Sequence, residues 1–169
     1  QRAVKIVTVH KSKGLEYPIV FCPFSWGGAD KDKSGLVAYH DREKSHQPTL
    51  DIGFPPHIKG IECMQRERLA ELVRVLYVTL TRAKHRCYLA WGFMKDSETS
   101  ALSYLLHYPF YPEKTVNLAA LKDFIAGLTD DGMVGDLERL VKGSEGAIEV
   151  MPLPVYKGLV YTPPYPDAG

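Results

Sequence analysis

The sequence predicts an α/β domain with a parallel sheet, followed by a small helical segment. Residues 4–9 alternate and are rich in β-branched side chains, which is typical of a strand. Residues 19–24 form a continuous apolar run, which is typical of a strand buried on both faces. A long helical pattern at residues 61–83 leads to a further strand-like run at residues 85–92. Strands that alternate with a helix favour a parallel sheet, because parallel neighbours need a crossover connection.

An apolar stripe predicts the long helix, and its members are spaced three and four residues apart. These members are Leu69, Leu72, Val73, Leu76 and Leu80. Residues 36–40 and 49–53 are expected to pair as a hairpin, with the charged residues 41–48 as its loop. Three shorter helices, separated by prolines and glycines, are expected at residues 100–107, 118–126 and 133–142.

These elements divide the chain into three parts. Residues 1–95, with the hairpin insert at residues 36–53, form the part that contains the sheet, and residues 96–150 form the helical segment. Residues 151–169 are rich in proline and are predicted to be a linker or tail. Because the chain starts at Gln1 and enters a predicted strand almost at once, we expect it to be a piece of a larger protein.

Composition excludes several classes of protein. A chain of 169 residues that is 45% hydrophobic is expected to bury one core and not to be disordered. Residues 1–95 hold 16 Lys and Arg against 9 Asp and Glu, whereas residues 96–169 hold 5 against 11. This division excludes a uniformly cationic coat but leaves room for one local anion-binding face. The apolar runs are too short to span a bilayer, and the separated cysteines indicate reduced thiols in a cytosolic protein.

Residues 8–16 lie at the carboxyl end of the first predicted strand, at the edge of a parallel sheet where ligands usually bind. The segment offers hydrogen-bonding groups, two ammonium groups and one carboxylate, and these belong to Thr8, His10, Ser12, Lys11, Lys13 and Glu16. Gly14 permits an unusual backbone angle or the close approach of a ligand. An ordinary solvated loop is the alternative interpretation, because most lysines in loops are simply exposed.

The second segment of interest, residues 74–84, carries two arginines at the end of the long predicted helix. Arg82 suits the negative end of the helix dipole, which is by itself an adequate structural reason for a cation there. A guanidinium also suits phosphate, because its planar fork donates two hydrogen bonds at once. Arg74 lies eight residues earlier, so the two arginines could span a polyphosphate or reach different partners.

Together the two segments carry a resemblance to a known family. The sequence TVHKSKGLEYPIVF resembles motif V of the superfamily 1 DNA helicases of the UvrD and Rep type, and ELVRVLYVTLTRAKHRCYL resembles their motif VI. The phrase HKSKGLEYP is similar to that of the RecB branch, the beta subunit of exodeoxyribonuclease V. The resemblance covers about residues 3–107 and implies the later half of a second RecA-like motor domain of the P-loop NTPase type.

The resemblance also implies a role for each matching residue. Arg82 would reach the γ-phosphate of ATP across the cleft between two RecA-like domains, Glu16 would lie near the ribose, and Gly14 would line the nucleotide side. Single-stranded DNA would be contacted by Thr8, His10, Lys11 and Lys13. Arg74 and Tyr77 would support the cleft, with Arg74 holding Glu71 or another carboxylate.

The implied parent is a bacterial, cytoplasmic, ATP-dependent DNA helicase that acts in double-strand-break repair within an exonuclease complex. It would use ATP and Mg²⁺ and assemble with the remaining RecB-like domains and the gamma and alpha subunits. The 169 residues contain no G-x-x-x-x-G-K-[ST] loop for phosphates and no match to the RecB-type nuclease site. We therefore expect the isolated chain to bind no cofactor tightly and to be inactive.

Other functions stay open at the level of sequence. A stand-alone nucleic-acid-binding module of helicase fold, or a protein-interaction domain that works through the acidic half, would also fit. A metal site is not expected, because His40, His46 and His57 lack a paired ligand spacing. The acidic pairs at residues 130–131 and at positions 136 and 138 are interpreted as a solvated helix start. An exposed sheet edge would make the isolated chain dimerise or cover the edge with its C-terminal segment.

Overall fold

A computed structural model describes residues 3–28, 36–53, 56–112, 117–153 and Gly158. Within these residues lie four strands: β1 (Tyr17–Cys22), β2 (Val37–Asp41), β3 (Gln47–Asp51) and β4 (Ala83–Leu89). The same residues form four α-helices: α1 (Ile58–Leu80), α2 (Ala101–His107), α3 (Leu118–Ala126) and α4 (Asp130–Gly143). The mixed α/β class expected from the sequence is confirmed.

The parallel sheet consists, in the described part of the chain, of β1 and β4. Tyr17 pairs with Ala83 and Val20 pairs with Cys87, and the register shifts between Tyr17 and Ile19. The shift falls at Pro18, which has no N–H to contribute to a ladder. Helix α1 precedes β4 directly, so it forms the last part of the crossover that parallel strands require.

The prediction of a strand at residues 4–9 is wrong for this structure. The described residues before β1 contain only a short 3₁₀ turn, at His10–Ser12, and Ile6 is 98% exposed. Alternating β-branched residues favour extended backbone, but a strand also needs a neighbour that completes its hydrogen bonds, and β1 and β4 pair only with each other here. The prediction that the strand at residues 19–24 is buried on both faces is also wrong, because Phe21 of β1 is 69% exposed.

The predicted hairpin is confirmed, and its loop is shorter than the sequence suggested. β2 and β3 pair from Val37–Asp51 to Asp41–Gln47, so the loop covers residues 42–46 rather than 41–48. Both Ser45 and His46 adopt positive φ angles, of 54° and 60°, which turn the chain back sharply.

The hairpin is fixed to the start of α1 by the buried carboxylate of Asp51. Its Oδ1 accepts a hydrogen bond from the Gly53 amide at 2.9 Å, and its Oδ2 accepts one from the His57 amide at 2.7 Å. These hydrogen bonds, led by that of Gly53, hold the pKa of Asp51 below its ordinary value. The hairpin insert and the long helix therefore form one unit.

The long helix begins and ends three residues earlier than the sequence predicted, and so places Arg82 beyond its end. Leu76 from the predicted stripe forms a buried cluster with Ala101 and Leu102. Around this cluster pack Leu72, Val73, Leu80, Trp91 and Leu106. The core thus joins the long helix to the helical segment.

The three shorter helices are confirmed, and each begins at a side-chain cap. Ser100 accepts from the Ser103 amide at the start of α2, Asn117 caps α3, and Thr129 accepts from the Gly132 amide at the start of α4. Helix α4 begins at Asp130, three residues before its predicted start, because Asp130 and Asp131 occupy the first turn, where the helix dipole favours carboxylates.

The interpretation of Asp136 as a solvated residue is wrong. Asp136 is buried within α4, and its Oδ2 lies 2.9 Å from Nδ1 of His107, which has no exposed surface. Nε2 of the same imidazole accepts a hydrogen bond from Trp91 Nε1 at 3.2 Å, and Arg139 donates to Asp136 Oδ1 at 3.2 Å. This chain of contacts, the Trp91–Arg139 network, connects the end of β4 to α2 and α4.

The cysteines are free thiols, as predicted. Cys22 is buried on β1, and its Sγ lies 3.9 Å from that of Cys87 on β4. Burial raises the pKa of the Cys22 thiol to about 12, which keeps it protonated. Cys63, on α1, and Cys87 are half-buried, so of the three cysteines only Cys22 is buried.

Two further expectations concern the ends and surfaces of the chain. Most of the proline-rich tail, at residues 154–157 and 159–169, lies outside the described residues. No helix in the described ranges is both long enough and apolar enough to cross a membrane.

Candidate functional site

The segment before β1 is a compact turn built largely from its own backbone. We call residues 8–16 the motif V loop. The Ser12 amide donates to the carbonyl oxygens of Thr8 and Val9 at 3.1 Å, and the Ser12 hydroxyl donates to Val9 at 2.7 Å. Ser12 is buried, so its hydroxyl stabilises the turn and does not offer the hydrogen bond to a ligand that the sequence suggested.

The remaining polar side chains of the motif V loop point outward. Thr8, His10, Lys11 and Lys13 are all exposed. Gly14 adopts a φ of +80°, a conformation that side chains disfavour, and apart from its two chain neighbours no described residue has an atom within 4 Å of the place where its Cβ would be. The loop therefore presents two ammonium groups and an open stretch of backbone to any anionic ligand.

The guanidinium of Arg82 donates three hydrogen bonds, one to the motif V loop and two to residues at the end of α1. Nη1 donates to the carbonyl oxygen of Leu15 at 3.1 Å, Nε donates to that of Val78 at 2.9 Å, and Nη2 donates to the hydroxyl of Thr81 at 3.0 Å. The Tyr17 amide also donates to the Arg82 carbonyl at 2.8 Å. Side chain and backbone together fix this arginine beside the loop.

Glu16, the carboxylate of the motif V loop, forms an ion pair with Lys84. Lys84 Nζ lies 3.0 Å from Glu16 Oε2, and both side chains are about half exposed. The ammonium of Lys84, with a smaller contribution from Arg82, holds the pKa of Glu16 below its ordinary value. Sequence reasoning missed Lys84, although the parallel pairing of Tyr17 with Ala83 brings their neighbours Glu16 and Lys84 together.

The structure does not join Arg74 and Tyr77 to the motif V loop. Arg74 Nη1 donates to Glu71 Oε2 at 3.1 Å, which confirms the partner that the sequence suggested, and both side chains are exposed. Tyr77 is also exposed, on α1. Between these two side chains and residues 8–16, no hydrogen bond or ion pair occurs within the described chain.

The described residues contain no group of three or more His, Cys, Asp or Glu side chains that could hold a metal ion. His40 binds Glu67, with Nδ1 and Oε2 3.1 Å apart, and His57 Nδ1 lies 2.9 Å from Asp51 Oδ2. His40 and His57 thus help to attach the hairpin to α1.

Comparison with known proteins decides the family. The profile of the UvrD-like helicase C-terminal domain matches residues 1–92, which include the motif V loop, Arg82 and Lys84. The chain belongs to this family. The UvrD-like match ends shortly after β4, so the helical segment lies beyond it.

Curated relatives of this UvrD-like domain are much longer proteins. The chain is 48% identical to the RecB component of the RecBCD enzyme of Buchnera aphidicola over 85 residues, or 50% of the chain and 7% of that protein. It is 44% identical to RecB of Escherichia coli over 86 residues, or 51% of the chain and 7% of that protein. It is 41% identical to an ATP-dependent helicase/nuclease subunit of Bacillus velezensis over 105 residues, or 56% of the chain and 8% of that protein. The chain thus spans less than a tenth of the length of these relatives, and the predicted RecB and UvrD resemblance is confirmed.

Proposed function

We propose that this chain forms part of the second motor domain of a RecB-like, ATP-dependent DNA helicase subunit, where it completes the ATP site and contacts single-stranded DNA. One observation carries the proposal: Arg82 and Lys84, from the second motif, bind Leu15 and Glu16 of the first. Two segments more than sixty residues apart thus form one polar surface at the amino-terminal ends of β1 and β4. The names of the relatives, which are RecB of the RecBCD enzyme and an ATP-dependent helicase/nuclease subunit, support the same assignment.

The residues of this surface fit two parts of a bound nucleotide, the γ-phosphate and the ribose. Of the five N–H groups of a guanidinium, Arg82 uses three on described acceptors, so one N–H on each terminal nitrogen is available for a phosphate oxygen. A preorganised positive group at that position would stabilise the charge that develops on the γ-phosphate during hydrolysis. Gly14 leaves room for the nucleotide, and Glu16 supplies an acceptor for the ribose. ATP and Mg²⁺ would be held mainly by other parts of the parent protein.

The motif V loop gives the same surface a nucleic-acid side. Lys11 and Lys13 would bind phosphates of the DNA backbone, while Thr8 and His10 would face the strand. Because Arg82 and the loop are in direct contact, a change at the γ-phosphate would be transmitted to the DNA-binding side chains through Leu15. In this way one short loop would couple the state of the nucleotide to the position of the strand.

The organisation of the chain follows from this assignment. Residues 1–95 would be the later half of the second RecA-like domain, with the hairpin insert at residues 36–53, and residues 96–150 a helical segment attached to it. The partners would be the remaining RecB-like domains, the gamma and alpha subunits and DNA, in the bacterial cytoplasm. The exposed strand face at Phe21 would be covered by the rest of the parent, and no observation supports a homodimer.

The isolated chain is expected to hydrolyse no ATP, with or without single-stranded DNA, because the principal phosphate-binding loop is missing from its sequence. Phosphate release measured with malachite green should stay at background, whereas the parent protein should show DNA-stimulated release under the same conditions. DNA-stimulated hydrolysis by the 169 residues alone would contradict the proposal. Tight, salt-sensitive DNA binding by the isolated chain without hydrolysis would favour a stand-alone binding module.

Replacement of both Lys11 and Lys13 by alanine in the parent protein is expected to weaken single-stranded DNA binding and flatten its salt dependence. The slope of log K against log salt should fall by about 1.4, since each phosphate contact on a single strand contributes about 0.7. Fluorescence anisotropy with a labelled oligonucleotide measures both quantities. The matched control replaces the lysines Lys95 and Lys142, which lie outside the motif V loop, and should leave the slope unchanged; equal slopes for all three proteins would exclude the loop as a DNA contact.

A further inference from the structure

The ion pair between Glu16 and Lys84 stands where the two motifs meet. Glu16 is the residue before β1 and Lys84 is the second residue of β4, and the pairing of Tyr17 with Ala83 places them beside each other. Arg82 lies on the same side, close enough to contribute to the electrostatics of the Glu16 carboxylate. The ion pair is therefore adjacent to Arg82, the residue to which the proposed function assigns the γ-phosphate.

This ion pair is unsuited to a purely structural role. The two side chains are 59% and 54% exposed, and an exposed pair of this kind contributes little to folding. The parallel pairing of β1 and β4, together with the Tyr17–Arg82 backbone hydrogen bond, already fixes the two segments. A role in orienting the carboxylate accounts better for a partner at this position.

The geometry of the carboxylate leaves one oxygen for a ligand. Lys84 Nζ contacts Oε2 at 3.0 Å, and within the described part of the chain Oε1 has no hydrogen-bond partner. An ionised carboxylate only accepts hydrogen bonds, and a hydroxyl group is a suitable donor. An exposed carboxylate is ionised at neutral pH, so Oε1 is an acceptor, and the ammonium of Lys84 lowers the pKa of Glu16 further in the same direction.

We propose that Lys84 is the positioning residue for ribose recognition: its ammonium holds Oε2 of Glu16, so that Oε1 accepts a hydrogen bond from a ribose hydroxyl of ATP. The inference rests on the proposed function, which places the nucleotide beside Glu16. Lys84 does not touch the nucleotide; it acts through the carboxylate. The loss of Lys84 should therefore affect the recognition of the sugar and not the chemical step.

A steady-state comparison of three nucleotides tests this role in the parent protein. The measured quantities are kcat and KM for ATP, 2′-deoxy-ATP and 3′-deoxy-ATP with saturating single-stranded DNA. In the unaltered protein, removal of the hydroxyl that binds Glu16 should raise KM about tenfold, as expected for a lost hydrogen bond to a charged group. Lys84→Ala should raise KM for ATP about threefold and leave kcat within about twofold of the unaltered value. The tenfold preference for ATP over the nucleotide that lacks the hydroxyl should fall to about threefold.

Two variants and one control separate the possible outcomes. Lys84→Arg keeps a cation beside Oε2 and should retain most of the preference, whereas Glu16→Ala, which has no acceptor at this position, should remove it. The control is Lys59→Ala, which breaks another exposed ion pair, with Lys59 Nζ 2.5 Å from Glu43 Oε2, and should behave like the unaltered protein.

Failure of this inference can be distinguished from failure of the proposed function. If Glu16→Ala loses the preference for the hydroxyl but Lys84→Ala retains it in full, Lys84 is not a positioning residue and the ribose role of Glu16 stands. An equal rise in KM for all three nucleotides in Lys84→Ala would also overturn the inference, since it would place Lys84 at the phosphates. If the unaltered protein does not distinguish the nucleotides, the ribose role of Glu16 and this inference both fail.

Discussion

Arg82→Ala is expected to reduce kcat for ATP hydrolysis by the parent protein by about 10³-fold or more, with ATP affinity changed by less than about tenfold. The reason is that a guanidinium aimed at the γ-phosphate binds the transition state, in which charge develops, more strongly than the ground state. The backbone hydrogen bond from Tyr17 to the carbonyl of residue 82 does not need the side chain, so the motif V loop should keep its place. DNA-stimulated phosphate release gives kcat, and equilibrium binding of a fluorescent ATP analogue gives the affinity.

Arg82→Lys should be almost as inactive as Arg82→Ala. The three hydrogen bonds of Arg82 diverge to Leu15, Val78 and Thr81, and a compact ammonium on a flexible stem cannot make them while reaching a phosphate. The matched control is Arg86→Ala, which removes an exposed arginine from the same region, on β4, and should retain normal activity. Hydrolysis by Arg82→Ala within about tenfold of the unaltered rate would exclude the proposed catalytic role.

The second large effect is expected for His107→Ala, which should lower the free energy of unfolding of the chain by about 3 kcal/mol. His107 has no exposed surface, and its two ring nitrogens contact Trp91 Nε1 and Asp136 Oδ2. Truncation leaves a cavity, an indole N–H without its acceptor and a buried carboxylate without one of its partners. Urea unfolding followed by tryptophan fluorescence measures the change, since Trp91 is part of the network.

Two control variants, one at an exposed member of the network and one at an exposed histidine outside it, accompany His107→Ala. Arg139 is the outer partner of Asp136, and the Arg139 side chain is 63% exposed. Arg139→Ala should therefore lower the free energy of unfolding by about 1 kcal/mol or less. His85→Ala removes an exposed histidine from β4 and should have little effect on unfolding. If His107→Ala is no more destabilising than His85→Ala, the Trp91–Arg139 network does not attach the helical segment to the sheet.

Local periodicity predicted the helices and the hairpin because both are stabilised by contacts close in sequence. The stripe that includes Leu76 follows from helix geometry, and β2 and β3 are joined by a short turn. The strand expected at residues 4–9 failed because strand formation depends on a neighbour supplied by tertiary structure. His107 and Asp136 are 29 residues apart and belong to no repeating pattern, so their buried pair has no signature in the sequence.

The candidate site shows the same division between local and tertiary information. The motifs named Arg82, Glu16 and Gly14, and the positive φ of Gly14 agrees with the freedom expected of glycine at that position. Lys84 could not be singled out by its residue type, because a lysine after a helix end has no specific meaning by itself. Its contact with Glu16 follows from the register of β1 against β4, which only the folded chain reveals.

The proposed function depends above all on the surface formed by Arg82 and the motif V loop being one side of an ATP site. A structure of the parent protein with a non-hydrolysable ATP analogue and single-stranded DNA tests this most directly. We expect a terminal nitrogen of Arg82 to lie about 3 Å from a γ-phosphate oxygen and Glu16 to face the ribose. A nucleotide bound elsewhere, with Arg82 and Glu16 in contact only with protein, would contradict the proposal.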